Sequence, residues 1–499
     1  MKNFILTKRL FYVFAVTVLL LPTIVIVAKE NNESDKSNKP NKQNILFIAV
    51  DDLRTELGCY GKKHIKSPNI DRLASQGTVF EHAYCMVSVC GASRSALLTG
   101  TRPKYNRFVS AHIYASKDAP NAIPLNTHFK NHGYTTINNG KVFHFPDDHN
   151  DGWSEPAWRP KTPGYALPES REALQKDKEY KEQNQILRNG KPDARGPAWE
   201  CADVPDDSYG DGKTLEKSLN DLRRLAKDDK PFFLAVGFLK PHLPFVAPKK
   251  YWDLYKEDDI VLPENFRYTP KDVPAEAVHN FGELRGYANI PKGNEKISDE
   301  TAKKLIHGYY ACVSYTDAQI GRLLDELESL GIADNTIVVL WGDHGWHLGE
   351  HTMWSKHAVF ENTMNAPLLL KLPNQKEAKR FSLPVEFIDI YPTLNELAGL
   401  PEPQKDQLQG KSLIPLIEKK IVPDKLYAAG RYGAGDTIFD GRYRYSEFRD
   451  KKGGGNLVSR MLYDHKTDPR ENINIVNHPE NVAIIEELSK ELQRTIALP

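Results

Sequence analysis

Apolar residues recur along the chain in short unbroken runs, each followed by polar residues, and these runs alternate with stretches of helical period. Residues 44–50, NILFIAV, form one such run and end in Asp51 and Asp52. A run without polar alternation predicts a strand buried on both faces. PFFLAVGF at 231–238 and NTIVVLW at 335–341 repeat the pattern and lead into LKPHLPF and GDHGWHLGEH. SPNIDRLASQG reads as a helix with Ser67 as cap, Pro68 in its first position and Gly77 past its end. TVFEHAYC then reads as a strand, GASRSALLTG as a short helix, and a further helical stretch lies around residues 213–228. From Ser298 to Leu330 the period is helical, with Asp299 and Glu300 in the first turn and Gly331 as a stop. Strands alternating with helices, each strand ending in polar residues, predict a largely parallel α/β sheet with its site on one edge.

Elsewhere the pattern is weaker. Residues 145–210 are rich in Pro, Gly, Trp and charge and read as loop insertions over that edge. From about residue 380 a smaller α+β subdomain is expected, with VEFIDIYPTLNELAG as a helix, strand-like runs near 425–447, KKGGG at 451–455 as a hairpin tip and a closing helix near 480–496. At the other end Lys2, Lys8 and Arg9 precede an apolar run from Leu10 to Ala28 and then a polar stretch. That order is an export signal, cleaved near Ala28 or kept as a membrane anchor. The expected division is therefore residues 1–28 as signal, 29–43 as linker, 44–379 as the catalytic α/β domain and 380–499 as the C-terminal subdomain.

Charge is balanced, 67 basic residues against 66 acidic, so nothing in bulk composition points to nucleic acid or an anionic membrane surface. An anionic ligand would have to be met by local groups. Export makes the odd set of five cysteines (Cys59, Cys85, Cys90, Cys201, Cys312) informative, because at least one is then unpaired or chemically altered. Cys90 stands out: it opens a short helix, where free amides favour anions, and Arg94 lies one turn on. Such a place would lower a thiol pKa, although a lone cysteine there can equally be a packing residue. Asp51, Asp52 and Asp343 all follow strand ends, and three carboxylates on one edge repel unless a hard cation, Ca2+ or Mg2+, lies among them. His344, His347 and His351 lack the H-E-x-x-H spacing of zinc proteases, and FPDDHND at 145–151 reads as a solvated turn rather than a metal loop.

CGASRSALLTGTRP resembles the signature of the type I, formylglycine-dependent sulfatases, C-x-P/A-S-R-x-x-x-L-T-G-x-R. NILFIAVDDLRTELGCYG, GYTTINNGKVFH, PFFLAVGFLKPHLPF, GDHGWHLGEH, WSKHAVFE and LYDHKTDPREN are similar, in the same order, to the iduronate-2-sulfatase branch of that family. The resemblance spans roughly residues 44–400 and the late Leu-Tyr-Asp strand, and it is weak over 145–210 and 260–295. It implies an alkaline-phosphatase-like fold, a large mostly parallel sheet sandwiched by helices. It implies that Cys90 is oxidised to formylglycine, whose hydrated aldehyde attacks sulfur and then expels sulfate by C–O cleavage. By the same resemblance Asp51, Asp52, Asp343, His344 and the modified Cys90 would hold one Ca2+. Arg94, Lys141 and Lys356 would clamp the sulfuryl oxygens, His144 would be the base, and His242, with Lys356, the acid. Trp346 would pack on a sugar face or close the core. Ala92 stands where many members have Pro, which implies maturation by an anaerobic radical-type enzyme. The expected substrate is a sulfated oligosaccharide, with a 2-O-sulfate on a uronate or similar pyranose favoured. The expected place is the periplasm or outside the cell. The rivals are a phosphomonoester or phosphonate hydrolase of the same fold and an unconverted carbohydrate-binding protein.

Overall fold

The computed structural model describes residues 42–497 except residues 189, 421, 422, 424, 425 and 451–453. The expected leader, most of the linker and part of the KKGGG tip lie outside the described residues. The first apolar run is β1 (Asn44–Val50), followed by α1 (Pro68–Ser75) and β2 (Thr78–Phe80). Pro68 opens α1 as expected, but Ser67 does not cap it, because its hydroxyl accepts from the Gly58 N–H at 2.9 Å. The run TVFEHAYC is broken, with Ala83–Tyr84 forming a separate two-residue strand. Next come α2 (Cys90–Thr99) and β3 (Thr135–Gly140).

The stretch expected to be loop carries α3 (Pro168–Gln183) and a hairpin of β4 (Leu187–Arg188) and β5 (Lys191–Pro192). Only Ser170 of α3 is buried, so the helix has no apolar stripe to announce it. It is supported instead by pairs four residues apart, Lys176 with Glu172 at 2.7 Å and Lys181 with Asp177 at 2.8 Å. In the same stretch Asp148 is buried rather than solvated, and accepts from the Ala115 and Ser116 N–H groups at 2.6 and 3.1 Å.

The chain continues through α4 (Gly210–Leu225), β6 (Phe232–Phe238), α5 (Gly282–Arg285), α6 (Asp299–Ser329), β7 (Thr336–Gly342), β8 (Leu368–Lys371) and β9 (Lys379–Phe381). Ser298 caps α6 by accepting from the Thr301 N–H at 3.1 Å, and Gly331 follows its end at φ +69°. The seven sheet strands lie in the order β9-β2-β8-β7-β1-β6-β3, with β8 alone running against the rest. Successive residues of β1 feed opposite cores. Leu46, Ile48 and Val50 join Leu215, Leu222 and Leu305 from α4 and α6. Ile45, Phe47 and Ala49 join Leu97 and Leu98 of α2 and the residues beyond β9. Each fully buried aliphatic side chain contributes about 1.5–3 kcal/mol, which is why unbroken apolar strands sit at the centre.

Beyond β9 the expected single helix is split: Val385–Glu386 pairs with Ala83–Tyr84, and only α7 (Ile390–Leu397) is α-helical. Arg102 and the Ala429 N–H both bind Glu386, which holds that residue extended. The chain then forms a four-stranded antiparallel sheet of β10 (Ala428–Tyr432), β11 (Gly435–Phe439), β12 (Tyr443–Arg449) and β13 (Leu457–Asp464). α8 (Val482–Ile496) covers it through Leu488 and Leu492 against Ile438, Tyr445 and Leu462. Among the described residues no helix is long and apolar enough to cross a membrane, and all five cysteines are free thiols.

Candidate active site

Because β3, β6, β1 and β7 are parallel, the residues that follow them converge on one edge. The ladder continues past each strand end: the Lys141 N–H donates to Gly237 at 2.8 Å, Asp51 to Phe238 at 3.1 Å and Asp343 to Val50 at 3.2 Å. Gly237 makes this closeness possible, since a Cβ there would lie 2.1 Å from the Lys141 carbonyl oxygen. Cys90 is itself the first residue of α2, one position ahead of the Gly91 start read from sequence. A Cβ on Gly91 would meet the Ala111 carbonyl oxygen at 2.0 Å, so that glycine lets the helix start press into the edge.

Asp51, Asp52, Asp343 and His344 are wholly buried beside Cys90. Ligand atoms of Asp51, Cys90, Asp343 and His344 all lie within 4.8 Å of one another, as do those of Asp51, Asp52, Cys90 and His242. The Lys141 ammonium sits on Asp51, Lys356 Nζ lies 3.0 Å from both Asp52 oxygens, and the Asp52 N–H donates to Asp343 Oδ1 at 3.0 Å. Burial opposes ionisation of Asp51, but Lys141 and then Arg94 outweigh it and hold the carboxyl well below the usual range. At Asp52 burial wins: despite Lys356, and with the Asp51 charge adding to it, the carboxyl is held well above that range.

His344 tests the fit of a metal ion. Its Nδ1 lies 2.9 Å from the Gly345 carbonyl and so carries the ring hydrogen. Its buried Nε2 has no hydrogen-bond partner, and its lone pair faces Asp52 Oδ1 at 3.4 Å and Asp343 Oδ1 at 3.6 Å. A lone pair turned towards two carboxylates is repulsive unless a cation lies between them. Oxygen donors with a single imidazole suit a hard ion such as Ca2+ or Mg2+.

Above the carboxylates opens a cavity of about 820 Å3 lined by Cys90, His144, His242 and Lys356. The expectation of an acidic thiol fails: burial, and then the Asp51 charge, push Cys90 up to about 12, outweighing the helix terminus. Burial and Lys141 bring His144 down to about 2, and its Nδ1 has no partner. Burial and Lys356 bring His242 down to about 3. His242 Nδ1 donates to the Leu243 carbonyl at 2.6 Å, which leaves Nε2 to face the cavity.

Arg94 sits elsewhere than the sequence reading puts it, and Trp346 takes one of the two places left open to it. Arg94 was expected to clamp a sulfuryl group, yet it is wholly buried behind the carboxylates with its donors in use. It bonds Asp343 Oδ2 at 2.8 Å, Asp51 Oδ1 at 3.2 Å, and the carbonyls of Val142 at 3.0 Å and Lys141. Trp346 is 1% exposed and does not line the cavity, so it closes the core, with Lys356 Nζ 5.0 Å above its ring centre. One residue was missed: Glu283 on α5 reaches His242 Nε2 at 3.3 Å and Lys356 Nζ at 3.2 Å. It lies in the stretch where the resemblance is weak, and FGELRG has neither period nor motif to mark it.

A family model described as Sulfatase matches residues 43–400, and one described as N-sulphoglucosamine sulphohydrolase, C-terminal, matches 349–497. A Formosa agariphila protein named Sulfatase is 33% identical over 493 residues, covering 96% of this chain and 92% of that protein. Iduronate 2-sulfatase of Mus musculus is 34% identical over 398 residues, 72% of this chain and 70% of that protein. Among solved structures, the phosphonate monoester hydrolase of Agrobacterium radiobacter matches with a TM-score of 0.71 at 21% identity, over 91% of this chain and 96% of that one. That likeness concerns the fold, which is alkaline-phosphatase-like. With the family match running over most of its length and relatives above 30% identity, the chain belongs to the sulfatase family and is a sulfuric ester hydrolase.

Proposed function

We propose that this chain is an exported, calcium-dependent sulfatase that removes O-sulfate from carbohydrates. Its substrate on this reading is a 2-O-sulfate on a uronate or related pyranose in glycosaminoglycan or algal-polysaccharide oligosaccharides. The name of the mouse relative, iduronate 2-sulfatase, supports the sugar class. The observation that carries the reading is Cys90 at the start of α2, against buried carboxylates on one side and open to a cavity with His144, His242 and Lys356 on the other. A thiol near pKa 12 is a poor nucleophile there, whereas the same position suits a residue made from it. Converted to formylglycine, residue 90 supplies a hydrated aldehyde, one hydroxyl to take the sulfuryl group and a second whose deprotonation releases it. A calcium ion held by Asp51, Asp52, Asp343 and His344 would withdraw charge from a sulfuryl oxygen and make the diol more acidic.

The remaining work falls to side chains. Lys356 sits between Asp52 and Glu283, charged despite burial because Asp52 holds its pKa well above the usual range. It thus offers the sulfuryl oxygens a fixed cation at the cavity floor. His144, neutral at pH 7, takes the proton from residue 90 at its free Nδ1. His242 Nε2 faces the departing sugar oxygen and can pass it a proton only after the ring has itself been protonated, a form that Glu283 beside it favours and that burial and Lys356 oppose. Arg94 positions Asp51 and Asp343 rather than touching substrate. Maturation by an anaerobic radical-type enzyme, the leader at 1–28 and the 44–379 and 380–499 division complete the proposal.

The test is a panel of defined sulfated disaccharides, with aryl sulfate and aryl phosphate alongside, offered to protein made with an anaerobic maturation enzyme. The reading predicts sulfate release from 2-O-sulfated uronates and a rate on aryl sulfate far above that on aryl phosphate. A preference for the phosphate ester would contradict it.

A further inference from the structure

The cavity is asymmetric in charge. Beyond the floor, its wall is built by the end of α3 and the β4–β5 hairpin, which contribute Lys181, Arg188, Lys191 and Arg195 against a single carboxylate, Asp193. Arg195 is anchored at the hairpin base: its guanidinium lies 5.1 Å from the Tyr287 ring centre and its backbone N–H donates to Asp177 at 2.7 Å. Lys181 is likewise tied down, to Asp177 at 2.8 Å and to the Asp193 carbonyl at 2.7 Å. Arg188 and Lys191 are the outward pair. Arg188 is 56% exposed and only 3.4 Å from the already shared Asp193, and Lys191 has no carboxylate partner among the described residues. Beside them Ile186 and Leu187 line the same cavity at 48% and 49% exposure.

The wall is also close to the chemistry. Burial and then the Arg188 charge hold His112 below the usual imidazole range, and the His112 ring meets that of His144 edge-on at 5.5 Å. Lys191, and Arg188 whose one carboxylate is shared with Arg195, lie next to an exposed aliphatic surface and match a pyranose that shows an apolar face and carries an anionic substituent. Glu283, the other carboxylate of the cavity, is occupied by His242 and Lys356 and so leaves this wall positive.

We infer that the β4–β5 hairpin is a second sugar subsite, in which Arg188 and Lys191 hold an anionic group on the residue next to the sulfated one while Ile186 and Leu187 pack on its ring. This deepens the carbohydrate-sulfatase reading and rests on it. The anion can be a carboxylate or a second sulfate, since both present the same charged oxygens to a guanidinium. The chain therefore selects an acidic oligosaccharide rather than an isolated sulfated sugar.

The test is calorimetric binding to full-length protein carrying Cys90→Ala, which cannot turn substrate over. Three disaccharides share one sulfated sugar and differ in its neighbour, which bears a carboxylate, a sulfate or neither. The inference predicts that one or both acidic neighbours raise affinity about tenfold or more, that salt weakens the advantage, and that R188A/K191A brings the acidic-to-neutral ratio close to one. R188K/K191R, which keeps both charges, should retain most of the ratio. Equal affinity for all three ligands, or an acidic preference untouched in R188A/K191A, overturns it. Aryl sulfate hydrolysis by matured wild-type protein separates the two claims. Hydrolysis without acidic preference sinks this inference alone, and acidic preference without hydrolysis sinks the proposed function alone.

Discussion

Arg94 and Cys90 show how burial changes what a residue type can do. In a sequence, an arginine one turn after a cysteine at a helix start suggests two groups facing one anion. In the folded chain the arginine has been drawn behind the carboxylates, where its fork matches Asp51, Asp343 and two carbonyls. Arg94→Met should therefore leave two buried carboxylates short of a partner and destabilise the fold by about 3–5 kcal/mol, read from urea unfolding. Arg94→Lys keeps a charge but not the fork, and should recover only part of that loss. An unchanged unfolding midpoint in Arg94→Met would refute the assignment. The thiol makes a second prediction: held up to about 12, unconverted Cys90 should react with iodoacetamide at pH 8 far more slowly than the exposed Cys201. Mass spectrometry of the two labelled peptides checks this, and equal labelling would contradict it.

At the scale of elements, the site exists because four parallel strands end together and because glycine lets two of them close up. Lys141 can follow β3 beside β6 only while Gly237 has no side chain. Gly237→Ala should push the Lys141 backbone away, cost about 1–3 kcal/mol by overpacking, and lower kcat by at least about tenfold as Lys141 leaves Asp51. A variant with unchanged melting and kcat would show that the contact does not matter. The same logic explains what could be read from the chain. Buried strands write themselves as unbroken apolar runs, so Asp51, Asp52 and Asp343 could be put on one edge from NILFIAV and NTIVVLW alone. α3 could not be read, because a helix with one buried residue, Ser170, and one partly buried apolar residue packed on the core, Leu174, has no apolar period. Glu283 was equally silent, since α5 is a single turn of four residues and its meeting with His242 and Lys356 is purely tertiary. Arg94 is recognisable in the sequence as a site neighbour but not as a buried one, because depth below a surface leaves no mark on residue type, and for the same reason the sequence leaves Trp346 open between a sugar face and the core.

On the scale of the whole molecule, the antiparallel sheet is tied to the catalytic edge by buried charge as well as by apolar packing. Arg444 of β12 bonds Glu361, five residues beyond Lys356, and lies 3.1 Å from Glu471, which in turn receives His465 at 3.0 Å. Burial opposes ionisation of Glu361, but Arg444 outweighs it and brings the carboxyl down to about 2. A folded pKa below the unfolded value of about 4.3 means that the unfolded chain binds protons first as pH falls. The stabilisation is thus complete above about pH 5 and is lost towards pH 2, in a window that acid unfolding followed by circular dichroism would show. Arg444→Met should strip the buried Glu471 and the partly buried Glu361 of their partner and lower stability at pH 7 by about 3–5 kcal/mol. A flat stability profile between pH 5 and 2 in the wild type would argue against the tie.

The account stands most directly on residue 90. Preparations of the chain made with graded amounts of maturation enzyme can be scored twice: by mass spectrometry for conversion of the Cys90 peptide, and by ion chromatography for sulfate released from a 2-O-sulfated uronate disaccharide. The account predicts that sulfate release rises in proportion to the converted fraction and vanishes with it. Full release from wholly unconverted protein, or none from fully converted and folded protein, would contradict it.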